Sequence, residues 1–295
     1  MPAIDPAAVT IRPLVAQDAA AAAAAARAAI DQLYPETITP EEDARRAAGA
    51  TRRVAHLQGT DPGGCWVAEH DGEIAGTAVS LIREGVWGLS LFALLPAYQG
   101  LGIGARLYEP AHAYGAGEPG GIILSTSHPA AMRTYARSPG FRLLPSVGLS
   151  GAWDPRRVPA ELRCRPGDLD ADAATIEAAS RHVRGASHLR DLPALLERPG
   201  MVLMVIEDEG FACARDGSTW LLAARSEAAA EDLLWGAMTS GLRGGGVEVD
   251  FVTAENQWAI RVGLEAGLAL SASGAVFVRG EVGPMAPYLP SGVYL

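Results

Sequence analysis

The sequence predicts an α+β protein of two similar halves, each a mixed, mostly antiparallel sheet flanked by helices. Its 295 residues approach the length at which one hydrophobic core gives way to two. Apolar residues make up 49% and charged residues 20%, which is typical of globular proteins. Both halves read strand, helix, helix, antiparallel strands, helix, strand, helix, strand, which indicates an internal duplication. We therefore predict a first domain over 1–152, a linker over 153–160 and a second domain over 161–295.

Turn and cap residues place the elements of the first half. Asp18 can cap an alanine-rich helix, and Pro40 followed by two glutamates opens a second helix. Asp71-Gly72 predicts a hairpin, and Pro96 ends a strand because proline cannot donate to a ladder. The predicted strands are 9–14, 65–69, 74–82, 86–95, 122–125 and 141–149, and the predicted helices are 19–33, one from 40, 102–114 and 129–137.

The second half repeats this order after a polar segment bounded by Pro155 and Pro159. Its elements are assigned from the same apolar periodicities and turn signals. The predicted strands are 161–165, 201–206, 211–215, 219–224, 247–252 and 275–279, and the predicted helices are 168–181, 191–197, 227–241 and 256–266.

Composition narrows the classes of partner. The net charge is -10, and the sequence lacks the cluster of Lys and Arg that binding to nucleic acid requires. An acidic protein readily attracts a positively charged amine. No apolar run reaches the roughly 18 residues of a membrane span. The three cysteines are odd in number and lack a C-x-x-C spacing, which argues against disulfides and zinc. We expect a reduced, cytoplasmic monomer or homodimer with no metal, no membrane partner and no nucleic acid partner.

Residues 91–105 form the most informative segment. They read Leu-Phe-Ala-Leu-Leu-Pro-Ala-Tyr-Gln-Gly-Leu-Gly-Ile-Gly-Ala, an apolar strand, a loop and the start of a helix. Glycines let the backbone approach an anion, and the first helical turn offers N–H groups without partners. The pattern predicts a pyrophosphate cradle that needs no lysine. A glycine-rich connection without a ligand is the alternative, and a dinucleotide fingerprint is disfavoured because its spacing differs.

This segment resembles the acetyl-CoA signature of the GNAT superfamily of N-acetyltransferases. In that signature Arg or Gln precedes x-x-Gly-x-Gly or Ala, directly after the fourth strand, and Gln99, Gly102 and Gly104 match it. The resemblance implies acetyl-CoA as co-substrate, a primary amine of a small molecule or peptide as acceptor, and tandem GNAT-like domains. The cofactor-binding residues it implies are Phe92, Ala93, Leu94, Gln99, Gly100, Leu101, Gly102, Ile103, Gly104, Ala105 and His128.

A second segment resembles the same superfamily. Residues 128–135 and then Gly140-Phe141 parallel its Asn-x-x-Ala-x-x-Leu-Tyr followed by Gly-Phe, with His128 in place of Asn and one extra residue before Gly140. Tyr135 falls where the superfamily often has the general acid for the departing CoA thiolate, and a phenol of pKa about 10 can protonate a thiolate. The alternative is a helical tyrosine that only packs on the core.

The general base is less clear from the sequence. Many relatives carry a glutamate four residues before the Leu94 position, where a backbone N–H is expected to stabilise the oxyanion, but this chain has Ser90. Glu84 reads as an exposed turn residue. Some tandem relatives place their terminal carboxylate in the active site, so Leu295 is a candidate base; the alternative is a tail that only packs between domains.

The second half lacks these features. Gly263 stands where Tyr135 would be, no glycine cradle precedes residue 227, and Glu227 would repel a pyrophosphate. We expect a copy that has lost its cofactor and lines the substrate cleft. Two further functions stay open: a non-catalytic protein that binds or senses acyl-CoA, and a structural pairing module without CoA affinity.

Overall fold

The computed structural model describes residues 4–33 and 38–295. Its helices are α1 (Ala19–Asp31), α2 (Pro40–Thr60), α3 (Ile103–Tyr114), α4 (Pro129–Arg137), α5 (Ala173–Arg184), α6 (Leu192–Leu196), α7 (Glu227–Thr239) and α8 (Gln257–Glu265). Its strands are β1 (Thr10–Pro13), β2 (Cys65–His70), β3 (Glu73–Arg83), β4 (Val86–Leu94), β5 (Gly120–Ser125), β6 (Arg142–Ala152), β7 (Arg165–Pro166), β8 (Met201–Ile206), β9 (Gly210–Arg215), β10 (Ser218–Ala224), β11 (Gly246–Thr253), β12 (Ala269–Gly280) and β13 (Tyr288–Leu289). Within these described ranges no helix is both long enough and apolar enough to cross a membrane.

The chain divides into two compact units. The first unit contains the described residues up to Ile82 together with Trp87–Glu118, and the second contains Arg83–Val86 together with Pro119–Leu295. In the first unit β1, β2, β3 and β4 lie side by side in sequence order, with β1 and β3 both antiparallel to β2. α3 covers this sheet because Ile103, Leu107 and Ala111 recur on one helical face, and they pack in one cluster with Leu94.

The second unit combines strands from both halves of the sequence. β5, β12, β6 and β11 lie side by side in that order, and Val276 of β12 is registered against both Leu124 and Leu144. The remaining strands follow the order β13, β10, β9, β8, β7, with antiparallel pairing throughout. α7 packs on β8, β9 and β10, and α8 packs on β6, β11 and β12. Leu233 of α7 and Trp258 of α8 belong to the same hydrophobic cluster.

The predicted fold class is confirmed, since sheets of mostly antiparallel strands are flanked by helices. The predicted strand over 161–165 is wrong, because only Arg165–Pro166 pairs with β8. The helix predicted from Asp168 begins at Ala173. The Asp168 carboxylate instead accepts hydrogen bonds from the amides of Asp170 and Ala171, a local turn that competes with the helix.

The compact units do not coincide with the division predicted at residues 152 and 161. Residues 153–164 contain neither helix nor strand, as a linker would. However, β12 is inserted between β5 and β6, so hydrogen bonds of one sheet join the two sequence halves. The repeat in the sequence describes the order of the elements, and the domain division at residues 152 and 161 stays a prediction.

Candidate functional site

The turn between β4 and α3 depends on two glycines in the left-handed region. β4 ends at Leu94, a short 3-10 turn covers Pro96–Tyr98, and Gln99 is extended. Gly100 and Gly102 then have φ angles of 76° and 79°, and Gly102 directly precedes the first residue of α3. Residues with a Cβ rarely adopt these angles, so the glycine pattern is what allows this path.

The main-chain amides of this turn are unpaired. Over the described ranges of the chain, the amides of residues 100–105 donate to no protein oxygen, and Arg106 is the first of α3 to do so, to the carbonyl of Gly102 at 3.3 Å. A Cβ placed on Gly100 or Gly102 would meet no atom within 4 Å. A helix N-terminus carries a partial positive charge, so these unpaired N–H groups can bind an anion such as a diphosphate.

Side chains on both sides hold the turn in place. The Gln99 amide nitrogen Nε2 donates to the Leu94 carbonyl at 2.8 Å, which ties the loop back to the end of β4. On α3, the Arg106 guanidinium donates to the carbonyls of Pro6 and Val9, at 2.8 Å each. Gln99, predicted as a cofactor-binding residue, therefore has a positioning role through its side chain.

The end of β4 is packed tightly from both sides. Ala93 and Leu94 are buried, and the half-buried Phe92 ring stands edge-on to Tyr108 of α3 with centroids 5.8 Å apart. On the neighbouring strand, a Cβ on Gly76 would lie 2.6 Å from the Leu94 side chain and 2.7 Å from the Ala93 carbonyl oxygen. Glycine at position 76 thus allows β3 to approach β4 closely beside the turn.

Ser90, four residues before Leu94, is held by an arginine of α2. The Arg53 Nε donates to the Ser90 hydroxyl at 2.8 Å, and its Nη2 donates to the Ser90 carbonyl. Ser90 is buried. The position that carries a glutamate in many relatives therefore has a hydroxyl bonded to a cation, which cannot serve as a general base near neutral pH.

Tyr135 and His128 belong to the second compact unit. Tyr135 is 4% exposed on the buried face of α4, and its ring stands edge-on to Phe277 with centroids 5.7 Å apart. His128 is half-buried at the residue before α4, and its backbone amide donates to the Thr126 hydroxyl at 3.4 Å. The roles predicted for both side chains stay predictions.

Leu295 is buried, and its main-chain oxygen accepts a hydrogen bond from Arg184 at 2.9 Å. Arg184 is itself 1% exposed and also donates to the carbonyls of Tyr294 and Ser187. A neighbouring guanidinium favours the ionised form of a carboxylate. The role of Leu295 as the base stays a prediction, and no signal in the sequence singled out Arg184 as its partner.

Part of the sequence is similar to one known protein family. The model of the acetyltransferase (GNAT) family matches residues 27–141, a range that includes the turn and α4. The segment over residues 27–141 therefore matches the GNAT family. Curated proteins give no match to the sequence.

Solved structures share the GNAT fold over nearly the whole chain. A protein from Pyrococcus horikoshii, described as an acetyltransferase by inference, is 17% identical with a TM-score of 0.77, covering 98% of this chain and 96% of its own. A tandem GNAT protein from the clavulanic acid biosynthesis pathway is 13% identical with a TM-score of 0.55, covering 92% and 98%. A GCN5-related N-acetyltransferase from Sphaerobacter thermophilus is 15% identical with a TM-score of 0.54, covering 92% and 95%. At these identities the likeness shows the fold alone.

Glu84, within the matched segment, is bound to arginine. It lies in the turn between β3 and β4, where its carboxylate accepts hydrogen bonds from Arg181 at 2.9 and 2.7 Å and from the Ser187 amide at 2.9 Å. The Arg181 guanidinium lowers the pKa of Glu84, and the Ser187 amide adds to this effect. Its carboxylate is therefore a weaker base than usual, in keeping with the interpretation of Glu84 as a turn residue.

In the second half of the chain, side chains fill the two positions that correspond to the CoA turn and to Tyr135. The Ser226 hydroxyl accepts from the Ala229 amide at 3.2 Å and donates to Glu209 at 3.0 Å, so a side chain occupies the start of α7. A Cβ on Gly263 would lie 2.6 Å from Leu149, which leaves no room for a tyrosine. Across residues 4–33 and 38–295, no group of three His, Cys, Asp or Glu side chains is arranged to hold a metal ion.

Proposed function

We propose that this GNAT protein transfers an acetyl group from acetyl-CoA to a primary amine of a small molecule or peptide. The observation that supports this most directly is the row of unpaired amides at residues 100–105, at the N-terminus of α3. Unpaired N–H groups beside a positive helix end bind phosphate groups without a lysine. The strand residues Phe92, Ala93 and Leu94 lead directly into this turn.

Each side chain then has a proposed part. The amides of Gly100–Ala105 would hold the diphosphate, and bound acetyl-CoA would supply an activated thioester. A main-chain N–H near Leu94 would stabilise the oxyanion, and Tyr135 would donate a proton to the leaving thiolate. An amine of pKa about 10.4 must lose a proton before it attacks, and the carboxylate of Leu295 or a water chain would take it.

A charge placed in the turn tests the cofactor site. Ala105 is exposed and is the third residue of α3. In Ala105→Asp the new carboxylate would repel the diphosphate, so we expect at least a tenfold loss of CoA affinity, about 1.4 kcal/mol. Folding should not weaken, since an acid in the first turn is favourable. Calorimetric titration with CoA and thermal unfolding measure the two effects.

Ala105→Asn is the matched control, because it adds almost the same volume without the charge. It should keep CoA affinity within about threefold of the original chain. If CoA binds the aspartate variant as tightly as the asparagine variant, the diphosphate is not held at this turn, and the proposal fails.

One observation favours a second function, a protein that binds or senses acyl-CoA without catalysis. Ser90, bonded to Arg53, leaves the usual base position without a carboxylate. Release of thiol from acetyl-CoA over a panel of polyamines, aminoglycosides, amino acids and peptides, with CoA binding measured in parallel, separates the two. Binding without transfer to any amine would favour the sensor.

We further propose that the second half is a copy that has lost its cofactor and lines the substrate cleft. The cap at the start of α7 supports this, because the Ser226 hydroxyl already occupies the Ala229 amide and Glu227 adds a negative charge there. The free cysteines Cys65, Cys164 and Cys213 fit the cytoplasmic location that we propose, and we propose that the protein is a monomer or a homodimer.

A further inference from the structure

One face of α2 is basic and lies against β4. Gly49, Arg52, Arg53 and His56 follow the spacing i, i+3, i+4, i+7, so they share one side of the helix. Arg53 reaches Ser90 of β4 from this face. The face is therefore turned towards the strand that leads to the CoA turn, although its residues are polar.

Arg52 differs from the other arginines of this helix. The side chain is half-buried, and its Nε is fully buried with no hydrogen-bond partner among residues 4–33 and 38–295. Arg45 and Arg46, in contrast, pair with Glu42 at 3.1 and 3.3 Å. A buried polar atom without a partner costs free energy, so an arginine kept in this state suits a site that a ligand completes.

The part of β4 that α2 contacts lies apart from the CoA turn. Ser90 and Leu94 lie on the same face of β4 by strand alternation, about 13 Å apart along the strand. The proposed diphosphate site follows Leu94 in the chain, whereas Ser90 precedes it. Because Arg53 joins this part of α2 to Ser90, we place an anion bound by the adjacent Arg52 on the acceptor side of Leu94, opposite the diphosphate.

We propose that Arg52 binds a carboxylate of the acceptor, so that the substrate is an amine that also carries a carboxylate. This inference rests on the proposed acetyltransferase function. The guanidinium fork matches a carboxylate with two parallel hydrogen bonds, and the adjacent Arg53 is bonded to Ser90 of β4. The amine must reach the thioester near Leu94 while the carboxylate lies on the Ser90 side of the strand. This separation favours an acceptor whose amine and carboxylate are several bonds apart, as in an ω-amino acid or a peptide, over an α-amino acid.

The test compares two acceptors that differ only in this charge. 6-Aminohexanoate and 6-amino-1-hexanol carry the same amine on chains of equal length. We expect kcat/KM with acetyl-CoA to be at least tenfold higher for the carboxylate, and Arg52→Gln to remove that preference without changing CoA affinity. Arg45→Gln removes one positive charge from the exposed start of the same helix and should keep the preference.

Direct binding distinguishes failure of this inference from failure of the proposed function. Calorimetric titration of 6-aminohexanoate into the CoA complex should show binding to the original chain and at least a tenfold loss in Arg52→Gln. If no amine is acetylated but this Arg52-dependent binding remains, the acetyltransferase proposal fails and the carboxylate site stands. If the original chain shows neither preference for nor binding of the carboxylate, or if Arg52→Gln weakens both acceptors equally, the carboxylate site is wrong.

Discussion

His188 is a fully buried histidine in the second compact unit that is held in its neutral form. Its Nε2 lies 2.8 Å from the Tyr288 hydroxyl, and its Nδ1 has no hydrogen-bond partner in the described part of the chain. Burial lowers its pKa well below 6.5, and the nearby cations Arg184 and Arg83 lower it further. The folded protein therefore excludes a proton that the unfolded chain accepts below about pH 6.5.

This exclusion sets the sign of a pH dependence. Below about pH 6.5 only the unfolded chain gains a proton at His188. The free energy of unfolding should therefore fall by up to about 1.4 kcal/mol for each unit by which the pH is lowered. Glu84 and Asp172 have lowered pKa values, so their stabilisation is present above about pH 4.5 and is lost only below it. In urea unfolding from about pH 7 to 5, His188→Gln should show a shallower slope than the original chain.

The exposed His182 of α5 provides the control. His182→Gln should leave the slope of unfolding free energy against pH unchanged. Equal slopes in His188→Gln and the original chain would mean that the buried imidazole is not the group that titrates on unfolding.

At the scale of elements, α3 is fixed by contact between its C-terminal end and the preceding strand. A Cβ on Gly115 would lie 2.1 Å from the Trp87 ring, which is fully buried and donates its indole N–H to the Ala111 carbonyl. Gly115→Ala should therefore overpack this contact and lower the free energy of unfolding by about 1–3 kcal/mol. A Cβ on the exposed Gly117 would meet no atom within 4 Å, so Gly117→Ala should be close to neutral. Thermal and urea unfolding of both variants check this, and equal stability would contradict the contact.

Elements defined by local signals could be predicted from the sequence. α4 was predicted at its observed bounds because Pro129 suits the first helical position. The β4–α3 turn was predicted because its glycines allow the positive φ angles that this path requires. Contacts between distant residues could not be predicted. The Arg53–Ser90 bond joins residues 37 apart, and the bond from Arg184 to Leu295 joins residues 111 apart. Neither has a periodic or spacing signal, because packing alone brings the partners together.

On the scale of the whole molecule, β12 decides whether the first half can fold by itself. A fragment of residues 1–160 would keep β5 and β6 but lose the strand that pairs with both. Ile122, Ile123 and Leu144, which are buried in the full chain, would then lie on open strand edges. We expect this fragment to aggregate and to lack cooperative unfolding by size-exclusion chromatography and circular dichroism. A monomeric fragment with a sharp unfolding transition would show that β12 is dispensable.

The position of β12 also has a consequence for synthesis. β5 and β6 leave the ribosome before residues 153–268, and only then does the strand that joins them appear. At translation rates of 5–20 residues per second, two apolar strands wait roughly 6 to 25 seconds without their central neighbour. During that interval the nascent chain is a substrate for chaperones that cover strand edges, and slower translation would lengthen its exposure to aggregation.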